Sequence, residues 1–256
     1  LGQKLSIIPQ NIRHLPTITD GSAEFINHFL QENVDLVSAR HGFSILENPS
    51  QWHLSERLAV VRSNSGFISL YELHEAVYTD SRVLNQEIGI TISDDYQAYA
   101  LAELRKLGLP DTAWFVGVHI REKPNSLDPR VAKLNTFYRS ISEIVGRGGW
   151  VIRFGADKMQ PLPMTENVID LNISSAEVRR LHLYIVAKSR FLLTTNSGPS
   201  VVAWALGTPV LQTNTLSIGR NLLSSSKGSI FLPKKYIGKF GQPCSFSQIL
   251  GSTEAY

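Results

Sequence analysis

The sequence predicts an α/β protein whose C-terminal part carries a doubly wound parallel sheet. Two observations predict it. Short runs that are apolar on both faces recur from residue 114 onward, and stretches with helical apolar spacing separate them. A strand apolar on both faces is covered on both sides, and strands alternating with helices build a parallel sheet.

Composition allows such a core. The chain has 256 residues, 43% of them hydrophobic, which is ordinary for a globular protein. The 25 Lys and Arg are dispersed and the formal charge is only +3, which disfavours a dedicated nucleic-acid binder and leaves room for anionic ligands or a membrane surface. A single cysteine, Cys244, excludes an intrachain disulfide framework and a thiolate metal cluster, and fits a reducing compartment. No run of eighteen apolar residues and no signal-peptide pattern occurs, so the expected location is the cytoplasm, including the inner face of the membrane.

Taken in order, "KLSIIP" is a short apolar run stopped by Pro9, and "GSAEFINHFLQEN" is helix-like behind Ser22. "LAVVRS" reads as a buried strand, whereas "GFISLYELHEAVY" mixes strand and helix signals. "SDDYQAYALAELRKLGLP" is a clear helix: Ser93 caps it, acids fill the first turn, bases the last, and Gly108 stops it. The domain junction is placed at this helix, giving domains 1–95 and 96–256. Next come "WFVGVHI" as a strand, "NTFYRSISEIVGRGG" as a helix, "WVIRFG" and "NVIDLNI" as strands, and "SAEVRRLHLYIVAKS" as a helix. "RFLLTT", "GPSVVAWALG" and "TPVLQT" then read as strand, helix and strand. The polar "NLLSSSKGSI" reads as a surface loop.

In doubly wound sheets ligands sit beyond the carboxyl ends of the strands, so strand ends supply the candidates. In "GVHIREKPN", His119 and Arg121 are two residues apart and share a face. Arg121 is aimed at the crevice, where a guanidinium can grip a phosphate in two places. The competing reading is a surface arginine beside a satisfied core histidine. In "WVIRFGADKMQP", Arg153 interrupts an apolar strand, and a buried charge needs a ligand or a partner. Either it faces a ligand with Gly155 and Asp157 nearby, or it forms a structural salt bridge with Asp170 or Glu166. In "RFLLTTNSGPSVVAWALG", Asn196 and Ser197 can cap the following helix, Gly198 admits close approach, and Pro199 suits the first turn. A strand feeding a helix through small residues makes an anion site from backbone N–H groups, although such turns are also ordinary helix starts. Two arginines and a helix N-terminus on one crevice would bind a diphosphate. There is no GxxxxGK[ST] loop, no dinucleotide fingerprint, no HExxH and no DxD, and Asp94-Asp95 is explained as a helix start. No metal and no cofactor is expected.

Together, "WFVGVHIREKP", "FYRSISEIVGRGGWVIRFGADKMQPLP", "VIDL", "AKSRFLLTTNSGPSVVAWALGTPVLQTN" and "FLPKKYIG…SFSQIL" resemble the bacterial surface-polysaccharide (capsule and O-antigen type) glycosyltransferases of the GT-B class. "HIRE" is similar to the HxR element of fucosyltransferase-like GT-B enzymes, whose arginine holds the donor's diphosphate. The resemblance runs from about Ser93 to Leu250. Upstream, "NIRHLPTITDGSAEFINHFL" is similar to an Arg-Gly-His-Leu stretch of that family's first domain, with the glycine absent.

The resemblance implies two Rossmann-like domains, the first on the acceptor side and the second binding a nucleotide-diphosphate sugar. It implies that Arg121 binds the diphosphate with His119 beside it, that Asn196, Ser197, Gly198, Pro199 and Ser200 cradle the same group, and that Arg153 and Asp157 shape the nucleotide pocket. The reaction would move a sugar to a glycan, lipid-linked or other hydroxyl acceptor without a metal, leaving guanidinium and helix-end donors to stabilise the departing diphosphate. A base must take the acceptor's proton. Asp20, near Arg13 and His14, is the candidate; the alternative is that it caps a turn. The same fold would also suit a noncatalytic nucleotide- or glycan-binding module or a nucleotide-sugar epimerase. "PKKYIGK" reads either as a basic edge near a membrane-linked acceptor or as a solvated loop.

Overall fold

The computed structural model describes residues 17–18, 60–63, 66–69, 91–123, 127–155, 159–164, 166–172, 175–216 and 228–251. The chain divides into two compact units, Leu1–Pro16 with Ala23–Ile88 and Thr17–Ser22 with Gly89–Tyr256. The first strand in chain order, β1 (Thr17–Ile18), falls in the second unit.

In the first unit, β2 (Val60–Ser63) and β3 (Gly66–Ser69) form an antiparallel pair with Val60 opposite Ser69. The strand reading of "LAVVRS" therefore holds for its last four residues, and the mixed segment begins as strand. The expected elements at "KLSIIP" and "GSAEFINHFLQEN" lie outside the described residues.

The second unit opens with β4 (Thr91–Ile92), parallel to β1. Helix α1 (Asp94–Lys106) follows and forms as its sequence dictates. Ser93 Oγ accepts from the Tyr96 N–H, Asp94 and Asp95 face the positive end, and Arg105 and Lys106 the negative end. Gly108 takes φ +100°, the left-handed conformation that lets the chain leave the helix. The helix docks through Tyr96, whose hydroxyl bonds the Arg180 carbonyl and accepts the Tyr184 N–H.

Beyond it, β5 (Phe115–His119), β6 (Trp150–Arg153), β7 (Val168–Asp170), β8 (Leu192–Thr195), β9 (Val210–Thr215) and β10 (Ile230–Pro233) form one sheet in the order β10-β9-β8-β5-β6-β7. Every neighbouring pair is parallel. The helices between them are α2 (Tyr138–Gly146, entered through a 3-10 turn at Leu134–Phe137), α3 (Ala176–Lys188) and α4 (Gly198–Ala205). The α/β class with a doubly wound parallel sheet is thus observed. Val116, Val118, Val151, Ile152, Leu192 and Leu193 are buried, because both faces of these strands are covered. Gly117 in β5 lies so close to the end of α3 that a Cβ would sit 2.7 Å from Ser189 Oγ.

Two elements differ from expectation. "SKGSI" does not run on as loop to its end: after Gly228, at φ +83°, the chain enters β10, a sixth strand alongside β9. At the C-terminal end, α5 (Phe246–Leu250) forms behind a capping box in which Ser245 and Gln248 exchange side-chain and backbone hydrogen bonds. Among the described residues no helix is long and apolar enough to cross a membrane.

The strand order locates the crevice. The chain runs from β5 to β6 to β7 in one direction, then returns with β8 on the other side of β5. Where direction reverses, the two following loops diverge and leave a gap at the carboxyl ends. His119 and Thr194 are register partners at that edge.

Candidate functional site

At the β5/β8 mouth the last residue of β5, His119, meets the turn that follows β8. Its Nδ1 lies 3.0 Å from Ser197 Oγ. That hydroxyl is also 3.2 Å from the Thr195 carbonyl and 3.3 Å from Thr194 Oγ1. When its hydrogen goes to the carbonyl, Nδ1 carries the imidazole proton and Nε2 presents a lone pair. Nε2 bonds no described residue; Gly155 lies alongside, where a Cβ would come 3.8 Å from Nε2 and 2.7 Å from Met159 Sδ. Burial, reinforced by His182 and Arg121, pushes His119 down to about 4. Its ring centroid is 5.5 Å from that of Phe154, which in turn is 5.0 Å from His182. Burial and Arg179 hold His182 down to about 4 as well. At neutral pH both imidazoles are uncharged, so His119 offers hydrogen bonding and no positive charge.

The charge comes from Arg121, two residues on. Its backbone N–H donates to Thr195 Oγ1 at 3.0 Å, tying the exit of β5 to β8. Its Nε and Nη2 both reach Asp128 Oδ2, at 3.1 and 3.0 Å. Asp128 also receives Nε and Nη2 of Arg130, at 3.0 and 2.9 Å, and the Arg130 N–H at 2.9 Å. These bonds, those of Arg130 above all, hold the Asp128 carboxyl well below the usual carboxylate range. One carboxylate facing two guanidiniums leaves a net positive charge. The Arg121 side chain is 35% exposed, and its Nη1 bonds no described residue.

The third component is the start of α4. Ser197 occupies the N-cap position with extended backbone, but its hydroxyl does not cap the helix because it is engaged with His119. Pro199 fills the first turn, where its missing N–H is harmless. Ser200 is 2% exposed and donates its hydroxyl back to the Ser197 carbonyl at 2.6 Å, so it closes the turn from within. A Cβ on Gly198 would meet nothing within 4 Å, so the backbone there faces open space. Asn196 is half-buried and its side chain bonds no described residue. A helix N-terminus beside an arginine attracts an anion.

Arg153 is placed as the salt-bridge alternative requires. It is fully buried, with Nη1 at 3.0 Å from Asp170 Oδ2 and 2.6 Å from the Gln160 carbonyl, and Nη2 paired with Glu122. The partner pair is Asp170 and Glu122, without Glu166. Both terminal nitrogens are thereby occupied, and only Nε lacks a partner. The structure brings His119, Arg121, Ser197 and Gly198 to one mouth and sets Arg153 behind it as a brace between the ends of β5, β6 and β7. Asp20 and Asp157, with Arg13 and His14, lie outside the described residues. Among the described residues no three His, Cys, Asp or Glu side chains are placed to hold a metal ion.

No protein-family model and no curated protein matches the chain. Among solved structures it is similar to the glycosyl transferase family 9 protein from Veillonella parvula DSM 2008, at 17% identity over 62% of this chain and 49% of that one, with TM-score 0.43. It is also similar to the bacterial iron-containing dodecameric glycosyltransferase TibC from enterotoxigenic E. coli H10407, at 15% identity over 54% of this chain and 35% of that one, with TM-score 0.31. The chain spans about half the length of the first and about a third of the second. Similarity at this level is silent about reaction and substrate.

Several site residues escaped the sequence reading. Asp128 carries a readable signal: Asp-Pro-Arg is a turn sequence, and its carboxylate bonds the N–H two residues on, as Asx turns do. Glu122 follows Arg121 directly and had to be paired through the sheet. Thr195 gave no signal beyond ending a strand.

Proposed function

We propose that the chain is a metal-independent glycosyltransferase of GT-B type that moves a sugar from a nucleotide-diphosphate donor to a hydroxyl of a glycan or lipid-linked acceptor in surface-polysaccharide synthesis. The observation that supports it is the meeting, at the sheet's switch point, of an arginine whose Nη1 bonds no described residue, the open N-terminus of α4 and the neutral His119–Ser197 pair. In this reading the diphosphate lies across the mouth, against Arg121 Nη1 and the backbone at Gly198. His119 Nε2 and Asn196 supply neutral hydrogen bonds to the donor.

Transfer forms a bond from the acceptor oxygen to the anomeric carbon and breaks the bond from that carbon to the diphosphate oxygen. Negative charge grows on the leaving diphosphate, where a preorganised guanidinium and helix end act most strongly. The acceptor's proton goes to a base, for which Asp20 is proposed; it falls in the 1–95 stretch assigned to the acceptor side, but in the Thr17–Ser22 piece that groups with the second unit, and 96–256 is proposed to hold the donor. Asp157 is proposed to contact the nucleotide, and Arg153 to serve it by bracing the mouth.

The test is thermal stabilisation by a panel of nucleotide diphosphates and their sugars, since a ligand bound only by the folded chain raises its midpoint. One nucleotide diphosphate is expected to raise the midpoint, and Arg121→Ala to abolish the rise without lowering the ligand-free midpoint. Equal stabilisation of wild type and Arg121→Ala would sink the site. Acceptor-dependent release of nucleotide diphosphate, unaffected by EDTA, separates a transferase from a binding module, and an isomerised sugar would reveal an epimerase.

A further inference from the structure

The last described segment, 228–251, presents an unusual surface. Of the eight large hydrophobic side chains exposed among the described residues, five belong to it: Ile230, Leu232, Ile237, Phe240 and Phe246. Their exposure follows from how the segment is anchored. Ile249 of α5 is buried with Phe231, Tyr236 and Cys244 around it, and this small cluster turns the alternate residues of β10 outward. Ile237 then bridges Pro243 in antiparallel fashion and closes a tight turn, with the Gly238 N–H on the Gln242 carbonyl at 2.8 Å and the Gly241 N–H on the Gly238 carbonyl at 2.9 Å. Gly241 takes φ +82°, which such a turn demands. At its tip Phe240 is 86% exposed.

The charge carried by segment 228–251 has one sign. Lys235 and Lys239 are exposed and pair with no described carboxylate, while Lys234 donates to the Val131 carbonyl. In sequence, no Asp or Glu occurs between Glu177 and Glu254, a stretch that carries nine Lys and Arg. An apolar tip flanked by lysines is the pattern of an interfacial anchor, in which the ring enters the headgroup boundary and the ammonium groups meet anionic lipid. Nucleic acid is a poorer fit, because three of the five exposed apolar side chains, Ile230, Leu232 and Ile237, are aliphatic and cannot stack on a base. A second copy of the chain docked tip to tip would bring lysines against lysines.

We propose that the turn at Ile237–Pro243, with Lys235, Lys239 and Phe240, docks on an anionic bilayer surface. The assignment is independent of the transferase reading, and its test does not need activity. The full chain is floated with vesicles of phosphatidylcholine alone and of phosphatidylcholine containing phosphatidylglycerol, at low and high salt. Wild type is expected to float with the anionic vesicles only, and less at high salt. Lys235→Gln with Lys239→Gln is expected to weaken binding roughly 25-fold, about fivefold for each lysine. Phe240→Ser is expected to weaken it further, with the unfolding midpoint unchanged in both variants. Wild type that floats with neither vesicle, or full binding by either variant, overturns the proposal. A two-chain mass by light scattering that Phe240→Ser reduces to one also overturns it, by making the tip a contact between copies.

Discussion

Replacing Arg153 by methionine removes the cation between Glu122 and Asp170 while keeping most of the side-chain volume. Arg153 is 0% exposed, and the two carboxylate side chains are 12% and 18% exposed, so water cannot readily take its place. Removing one partner of a buried ion pair costs about 3–5 kcal/mol, because the other charge stays behind. Each carboxylate here keeps a backbone donor, the Leu162 N–H on Asp170 at 2.8 Å and the Gln160 N–H on Glu122 at 3.4 Å, which places the expected loss at the lower end. A loss of about 3 kcal/mol lowers the melting midpoint of a unit of this size by about 6–12 °C. Thermal unfolding of the full chain at pH 7 reads it directly, and adding Glu122→Gln and Asp170→Asn to Arg153→Met is expected to restore most of the midpoint. A drop of less than about 2 °C, within a fraction of a kcal/mol on the same scale, would refute the reasoning, since the carboxylates would then be solvated without their arginine.

The remaining predictions concern pH and packing. His119 binds a proton near pH 4 in the folded chain and near 6.5 when unfolded, so between those values the unfolded state holds more protons. Stability is expected to be level above about pH 6.5 and to fall as pH drops toward 4, by about 3 kcal/mol for a shift of this size; a urea midpoint that stays constant from pH 7 to 5 would contradict this. His182 acts in the same direction. Gly117→Ala puts a methyl 2.7 Å from Ser189 Oγ and 3.1 Å from Ile185 and Leu192 side-chain carbons, and is expected to lose about 1–3 kcal/mol in denaturant unfolding. An unchanged midpoint would show that the end of α3 yields freely.

What could be read from the sequence tracks how locally each feature is determined. Helix α1 was legible down to its cap because Ser93, the acidic pair and Gly108 act within one or two turns. Strands β5, β6 and β8 were legible because being buried on two faces writes a nearly unbroken apolar run, and β7 and β9 through the short apolar stretches with which they begin. Strand β10 was not, because an edge strand with alternate exposure ending in Pro233 carries neither signal, and polar residues precede it. At the site, placing His119 and Arg121 at a strand mouth needed only the alternation of a strand. Their partners depend on register and loop closure. Ser197 reaches His119 across the sheet in place of capping its own helix, and Asp128 folds back over Arg121 from a turn seven residues on. Arg153 shows both levels: a charge inside an apolar strand announces that it needs a partner, but Glu122 became that partner through the pairing of Val118 with Arg153.

The switch point also sets the order of assembly. β5, β6 and β7 are sequential neighbours and can zip together through their own crossovers, whereas β8 must return to the far edge of β5, closing a loop in which the bonded His119 and Ser197 stand 78 residues apart. Long-range closures of this kind are slow, and chains fold as they emerge from the ribosome. A nascent chain synthesised through Asp170 can already hold half a sheet and still have no mouth, with Arg121 facing an empty edge. On the proposed reading, ligand binding therefore reports that β8 has returned to β5, and a ligand present during synthesis acts only on chains that have made that closure.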